Sequence, residues 1–280
     1  MRFALAAILA LFACLPVWAE EDAGPSELTK LMTSYDARGW EAVGRLNIGW
    51  TGMCSGALIA PDLVLTAGHC LYSSKKGELV DPTTIEFLAG FRQGRASAKR
   101  RVRRAVIHPE YVYSGPETNE TVPYDLAILE LQSPIRLPHI QPFPVGKRPR
   151  KGDSVGVVSY ARSRSDTASI QKVCHVLARP AGTIVLSCNV DFGASGAPVF
   201  AEIDGKPQIV SVISAMSTIS GRPVAFGTRL YKPLETMKAM LASGATITNK
   251  APSTVAAKRV KPNERRVLRG GGGGAKFVKP

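Results

Sequence analysis

Apolar residues in this chain recur at alternate positions in short runs, and Gly, Pro, Asp and Ser separate one run from the next. That period suits strands with one buried face. Six runs fall in the first half: AVGRLNI from Ala42, SGALIA from Ser55, LVLTA from Leu63, TIEFLAG from Thr84, RVRRAVI from Arg101 and LAILEL from Leu126. Six more follow: SVGVVSY from Ser154, IQKVCHVLA from Ile170, TIVLSC from Thr183, APVFAEI from Ala197, QIVSVIS from Gln208 and VAFGTRL from Val224. Between the sets lies LPHIQPFPVGKRPRKGD, dense in proline and charge, which reads as a linker. The pattern predicts an all-β chain of two six-stranded antiparallel β-barrels, the first over about 42–138 and the second over about 150–230. LETMKAMLA departs from it: Leu234, Met237 and Leu241 share one helical face, which predicts a short helix over 232–243 and closes a domain running from 42 to 245. Periodicity is lost after Gly244, and a disordered basic tail is expected over 246–280.

The start of the chain has another character. Arg2 precedes an apolar run from Phe3 to Val17, then VWA and an acidic EED. This reads as a signal peptide over 1–19, cleaved after Ala19, with an N-terminal arm over 20–41. The run is short for a membrane span, and no later segment approaches about 18 apolar residues. A soluble, monomeric, secreted or periplasmic protein without stable membrane insertion is expected. LFAC offers a competing reading, lipid attachment at Cys14, but Phe12 is bulky for that role.

Composition is that of an ordinary globular chain, with 280 residues of which 45% are hydrophobic. With Cys14 assigned to the leader, Cys54, Cys70, Cys174 and Cys188 remain, an even number that suggests two disulfides in an exported protein. Four cysteines allow three pairings. Spacing favours Cys54–Cys70 and Cys174–Cys188, each closing a short loop that stabilises by about 3 kcal/mol in the chain-entropy model. No Cys-x-x-Cys spacing is present, and no metal is expected. Net charge is +14, concentrated from Lys250 to the end (nine basic residues, one acid) and between Arg92 and Arg104 (seven basic residues). Such a surface favours anionic partners, a polyanion or an anionic surface, although a merely solvated strand edge has the same composition.

The chemistry centres on DFGASGAPVF, where Ser195 lies among small residues. Alone, the segment reads as a turn. APDLVLTAGHC places His69 at a strand end beside Cys70, and PYDLAILEL places Asp125 before a strand apolar enough to be buried. A carboxylate there needs a donor, and a histidine N–H suits it. Together the three residues supply nucleophile, base and orienting acid. Their order, His then Asp then Ser, differs from that of subtilisins and α/β-hydrolases, and no strand–GxSxG–helix context surrounds Ser195.

SGALIAPDLVLTAGHC resembles the histidine motif of trypsin-like serine proteases, DLAILEL their aspartate motif and GASGAPVF their serine motif, within a match covering roughly Trp40 to Ala242. The compact spacing is more similar to bacterial exported members than to digestive ones. The resemblance implies an endopeptidase needing no cofactor, acting on protein or peptide substrates. Ser195 would attack the carbonyl, His69 would relay the proton, and Asp125 would orient the ring. The N–H groups of Gly193 and Ser195 would form the oxyanion hole, and Ser214, Ala215 and Met216 would pair with the substrate backbone. Asn189, Val190 and Phe226 would shape the specificity pocket. Asn189 occupies the position that is acidic in trypsins, and a small or medium apolar side chain before the cleaved bond is expected, with Asp191 near enough to admit a basic one.

Digestive members carry an aspartate where this chain has Ala194, and that acid pairs with a freed N-terminus. Activation is therefore expected not to depend on cleavage before Ala42. His108, His139 and His175 are read as structural. The alternative to an enzyme is an inactive protein of this fold that binds anionic surfaces through its basic patch and tail.

Overall fold

A computed structural model of the chain describes residues 25–49, 52–73, 75–247 and 276–277. The expected leader, its cleavage site and Cys14 lie outside the described residues, as does most of the basic tail.

Six strands close the first barrel: β1 (Leu28–Lys30) lies outside it, and β2 (Val43–Ile48), β3 (Gly52–Ala60), β4 (Leu63–Thr66), β5 (Ile85–Ala89), β6 (Ala98–Ile107) and β7 (Ala127–Leu131) run in the order β2-β3-β4-β7-β6-β5. The ring is completed by β5 pairing with β2, and every pairing is antiparallel. One face of the alternation supplies Leu46, Leu58, Phe87 and Leu129, and the other supplies Leu65 and Ile128, all fully buried. Much of the basic cluster forms β6. Lys99 reaches Glu86 at 2.9 Å, and Arg103 and Arg104 both bind Glu130, so acids of the same barrel partly neutralise it.

The second barrel comprises β8 (Ser154–Ser159), β9 (Ser169–Ala178), β10 (Thr183–Leu186), β11 (Pro198–Ile203), β12 (Lys206–Ile219) and β13 (Arg222–Thr228). Their order is β9-β10-β13-β12-β11-β8, closed by β8 against β9. Both expected disulfides form: Cys54–Cys70 in the first barrel and Cys174–Cys188 in the second. The helix α1 (Tyr231–Ala242) packs on β6 and β7 and buries Leu234, Met237 and Leu241. Among the described residues, no helix is long and apolar enough to cross a membrane.

The two barrels meet through aromatic side chains from three segments. Trp40 of the arm lies 5.9 Å from Phe143 of the linker and 5.0 Å from Phe200 of β11, ring centre to ring centre. The arm does more than precede the domain, because β1 pairs with β9 from Leu28↔Gln171 to Lys30↔Ser169. Three residues, LTK, are too few to show an alternation.

Two pieces of chain beyond the helix are described. Ala245 and Ile247 pack on the core, with the Ile247 amide donating to the Ala105 carbonyl at 2.8 Å. Lys276–Phe277 forms a final short strand, β14, paired with Ser217 and Thr218 of β12. β11 pairs with β12 only from Lys206 to Val212, and β14 joins the far half of β12.

Candidate active site

His69 opens a 3-10 turn just beyond β4, and Asp125 closes another just before β7. Because β4 and β7 pair from Leu63↔Glu130 to Thr66↔Ala127, their ends bring the two residues together. The disulfide from Cys70 to Cys54 ties the His69 turn to β3. Asp125 is completely buried and accepts three hydrogen bonds. Its Oδ1 takes the His69 amide at 2.8 Å. Its Oδ2 takes His69 Nδ1–H at 2.7 Å and the Ser214 hydroxyl at 2.5 Å. These donors compensate the desolvation of the carboxylate and fix the ring, leaving Nε2 as the acceptor.

Burial works against a charged His69 ring, but the Asp125 charge and hydrogen bond outweigh it, helped by Glu117, and the pKa stands above the ordinary histidine value.

Ser195 lines the same cleft as His69, a groove of about 1150 Å³ between the barrels. No hydrogen bond joins its hydroxyl to the ring among the described contacts, a looseness common for such pairs before substrate binds. The Ser195 loop is held from the first barrel. The Ser55 amide donates to the Ser195 carbonyl at 2.8 Å, and the Ser55 hydroxyl donates to the Gly193 carbonyl at 3.0 Å. The amides of Phe192, Ala194, Gly196 and Ala197 are all spent within the protein. Those of Gly193 and Ser195 are committed to no acceptor among the described residues, which leaves two donors at the cleft. Gly193 adopts φ +95°, and a Cβ there would sit 2.3 Å from Met53 Cε.

Of the residues expected to bind substrate, Val190, Ser214, Ala215 and Met216 line the cleft. Asn189 and Phe226 do not. Asn189 is exposed, its amide turned to Gln171 Oε1 at 2.7 Å. Phe226 is buried behind the wall with Val122, Val185 and Val224, opposite Ala215 in the β12–β13 pairing. Asp191 lines the cleft, but its oxygens already accept from Ser163 Oγ and the Phe192 amide, at 2.9 and 2.7 Å.

Glu117 was not legible in the sequence. It lines the cleft beside His69, with Oε1 3.9 Å from Nδ1, and Tyr111 donates to that oxygen at 2.6 Å. No motif marks the loop that carries it, and its proximity to His69 arises only on folding.

The sequence profile of the trypsin-like peptidase domain matches residues 54–207. Transmembrane protease serine 7 of Homo sapiens is 31% identical over 133 residues, which is 44% of this chain and 14% of the relative. Complement C1r-B subcomponent of Mus musculus is 30% identical over 139 residues, 46% of this chain and 19% of the relative. The chain thus spans less than a fifth of the length of these relatives. Among solved structures, a Glu endopeptidase in complex with MPD superposes with a TM-score of 0.63 at 18% identity, covering 79% of this chain and 98% of that one. A thermostable serine protease, AL20, from an extremophilic microorganism gives 0.59 at 17% identity, over 73% of this chain and 98% of that one. These two likenesses concern the fold. With the profile covering more than half of its length, the chain belongs to the trypsin-like peptidase family.

Proposed function

We propose that this chain is an exported serine endopeptidase that cleaves protein or peptide substrates through an acyl-enzyme. The observation that carries the reading is the Asp125–His69 pair, in which a buried carboxylate binds the amide and Nδ1 of a histidine facing a cleft that Ser195 also lines. Ser195 attacks the scissile carbonyl as His69 Nε2 takes its proton, then returns it to the leaving amine. Asp125 keeps the ring in the required tautomer and stabilises the imidazolium. The free amides of Gly193 and Ser195 receive the developing oxyanion, each worth about 3 kcal/mol in comparable enzymes. The substrate backbone pairs with Ser214, Ala215 and Met216 as an added strand. Val190, Ile213, Ala215 and Met216 give the adjoining wall an apolar character that suits a small or medium apolar side chain before the cleaved bond.

The test is labelling of the purified mature protein with a fluorophosphonate at neutral pH, beside Ser195→Ala and His69→Ala. Labelling lost in both variants supports an activated serine, and a peptide library then separates peptidase from esterase action. Absence of labelling in folded, disulfide-intact protein would overturn the reading.

A further inference from the structure

A second carboxylate stands at the histidine. The Glu117 side chain is only 8% exposed; Oε1 rests on the Tyr111 hydroxyl, the Thr121 hydroxyl also faces the carboxyl, and Oε2 is buried without a well-formed hydrogen bond. Burying a half-satisfied carboxylate is unfavourable, and a packing role against Tyr111 would be met as well by an amide. What the acid adds is charge. The one cationic partner it has among the described residues is His69, at 3.9 Å, too long for a hydrogen bond but well within Coulombic reach.

The surroundings sharpen this. Tyr111 and Tyr113 face Glu117, and Tyr72 stacks on Tyr113 at 4.5 Å. Burial pushes all three phenols up, so they stay neutral near pH 7. Lys75 lines the same cleft without pairing with Glu117. Asp125 is the remaining charged neighbour. Burial first, and the Asp125 charge second, push the Glu117 carboxyl up, while a charged His69 pulls it down. Ring protonation and Glu117 ionisation therefore favour each other.

We infer that Glu117 is a second positioning acid, which acts beside Asp125 and stabilises the protonated His69 ring through charge rather than through a hydrogen bond. The inference rests on the serine-peptidase reading, in which the ring becomes an imidazolium as the tetrahedral intermediate forms. Asp125 sets the orientation of the ring; Glu117 adds a negative charge on the same side of it.

The experiment is an NMR titration of His69 in the mature full-length chain with labelled histidine, carried out in the unsubstituted protein, Glu117→Gln and Glu117→Asp. The Gln variant is expected to lower the His69 pKa by about one unit, the low end for loss of an opposite charge at this range. The Asp variant should retain most of the elevation. The acid limb of kcat/KM should move to lower pH by the same amount in Glu117→Gln. If near-UV circular dichroism shows that the Gln variant does not fold, Glu117→Ala reads the same quantity. An unmoved His69 titration alongside normal peptide hydrolysis overturns the inference and leaves the peptidase reading intact. A shifted titration in a protein that cleaves nothing does the reverse.

Discussion

The backbone amide of Ser55, on β3 of the first barrel, donates to the carbonyl of Ser195, in the second, at 2.8 Å. The same residue's hydroxyl donates to Gly193 O at 3.0 Å and accepts from the Tyr160 amide at 2.9 Å. One fully buried serine therefore couples the Ser195 loop to the barrel that carries His69 and Asp125.

Replacing Ser55 by alanine should be costly on two counts. The Tyr160 amide loses its acceptor in a buried place, an unsatisfied donor worth about 1–3 kcal/mol, and Gly193 loses its restraint. We expect a fall of that size in unfolding free energy by urea denaturation, with kcat reduced about tenfold through a loosened oxyanion loop. Full activity at reduced stability would show that the loop holds its own shape.

Gly193 and Gly196 both have positive φ, at +95° and +77°, but they should fail differently as alanine. At Gly196 an added methyl would lie 2.1 Å from Thr66 Oγ1 and 2.3 Å from the Ser55 carbonyl, and that carbonyl belongs to a barrel strand. At Gly193 the close atom is the flexible end of Met53. Gly196→Ala should therefore lose about 3 kcal/mol or more of stability. Gly193→Ala should lose less, yet forfeit about 100-fold or more in kcat because its amide turns from the cleft. Thermal melts and single-turnover kinetics separate the two.

His69 has its folded-state pKa raised above 6.5, so the neutral ring that the proposed mechanism requires is depleted at a higher pH than an isolated histidine would be. The acid limb of kcat/KM should accordingly fall above pH 6.5. Stability carries the opposite sign. The contribution of the charged ring is fully present below the unfolded value and is lost as pH rises through the folded one. Denaturation midpoints of His69→Gln and the unsubstituted protein should therefore converge on going from acidic to neutral pH. A gap that widens instead would contradict the elevated pKa.

Much of this could be read from alternation and motif. Every predicted strand from Ala42 to Leu230 forms, and the turns at His69, Asp125 and Ser195 fall where strand-end residues were expected. What escaped had no local signature. The strand at Leu28–Lys30 is stabilised by β9, 139 or more positions away, and three residues show no period. Asn189 was placed by analogy of position, but its segment is turned outward by an amide bond to Gln171. Glu117 sits in a loop whose polar composition is unremarkable, and only the packing of Tyr111 delivers it to the ring. Side chains that act through tertiary approach leave little trace in a one-dimensional pattern.

The pairing of Lys276–Phe277 with Ser217 and Thr218 places a piece of the chain next to Ser214, Ala215 and Met216, along the same strand. On the proposed reading, a long substrate extending past Met216 would have to displace that piece, whereas a short ester would not. Because the competitor belongs to the same chain, dilution does not relieve it. Truncation after Ile247 should therefore lower KM for extended peptides and leave that for a short ester unchanged. Such an enzyme would rank its substrates by length before it ranked them by side chain.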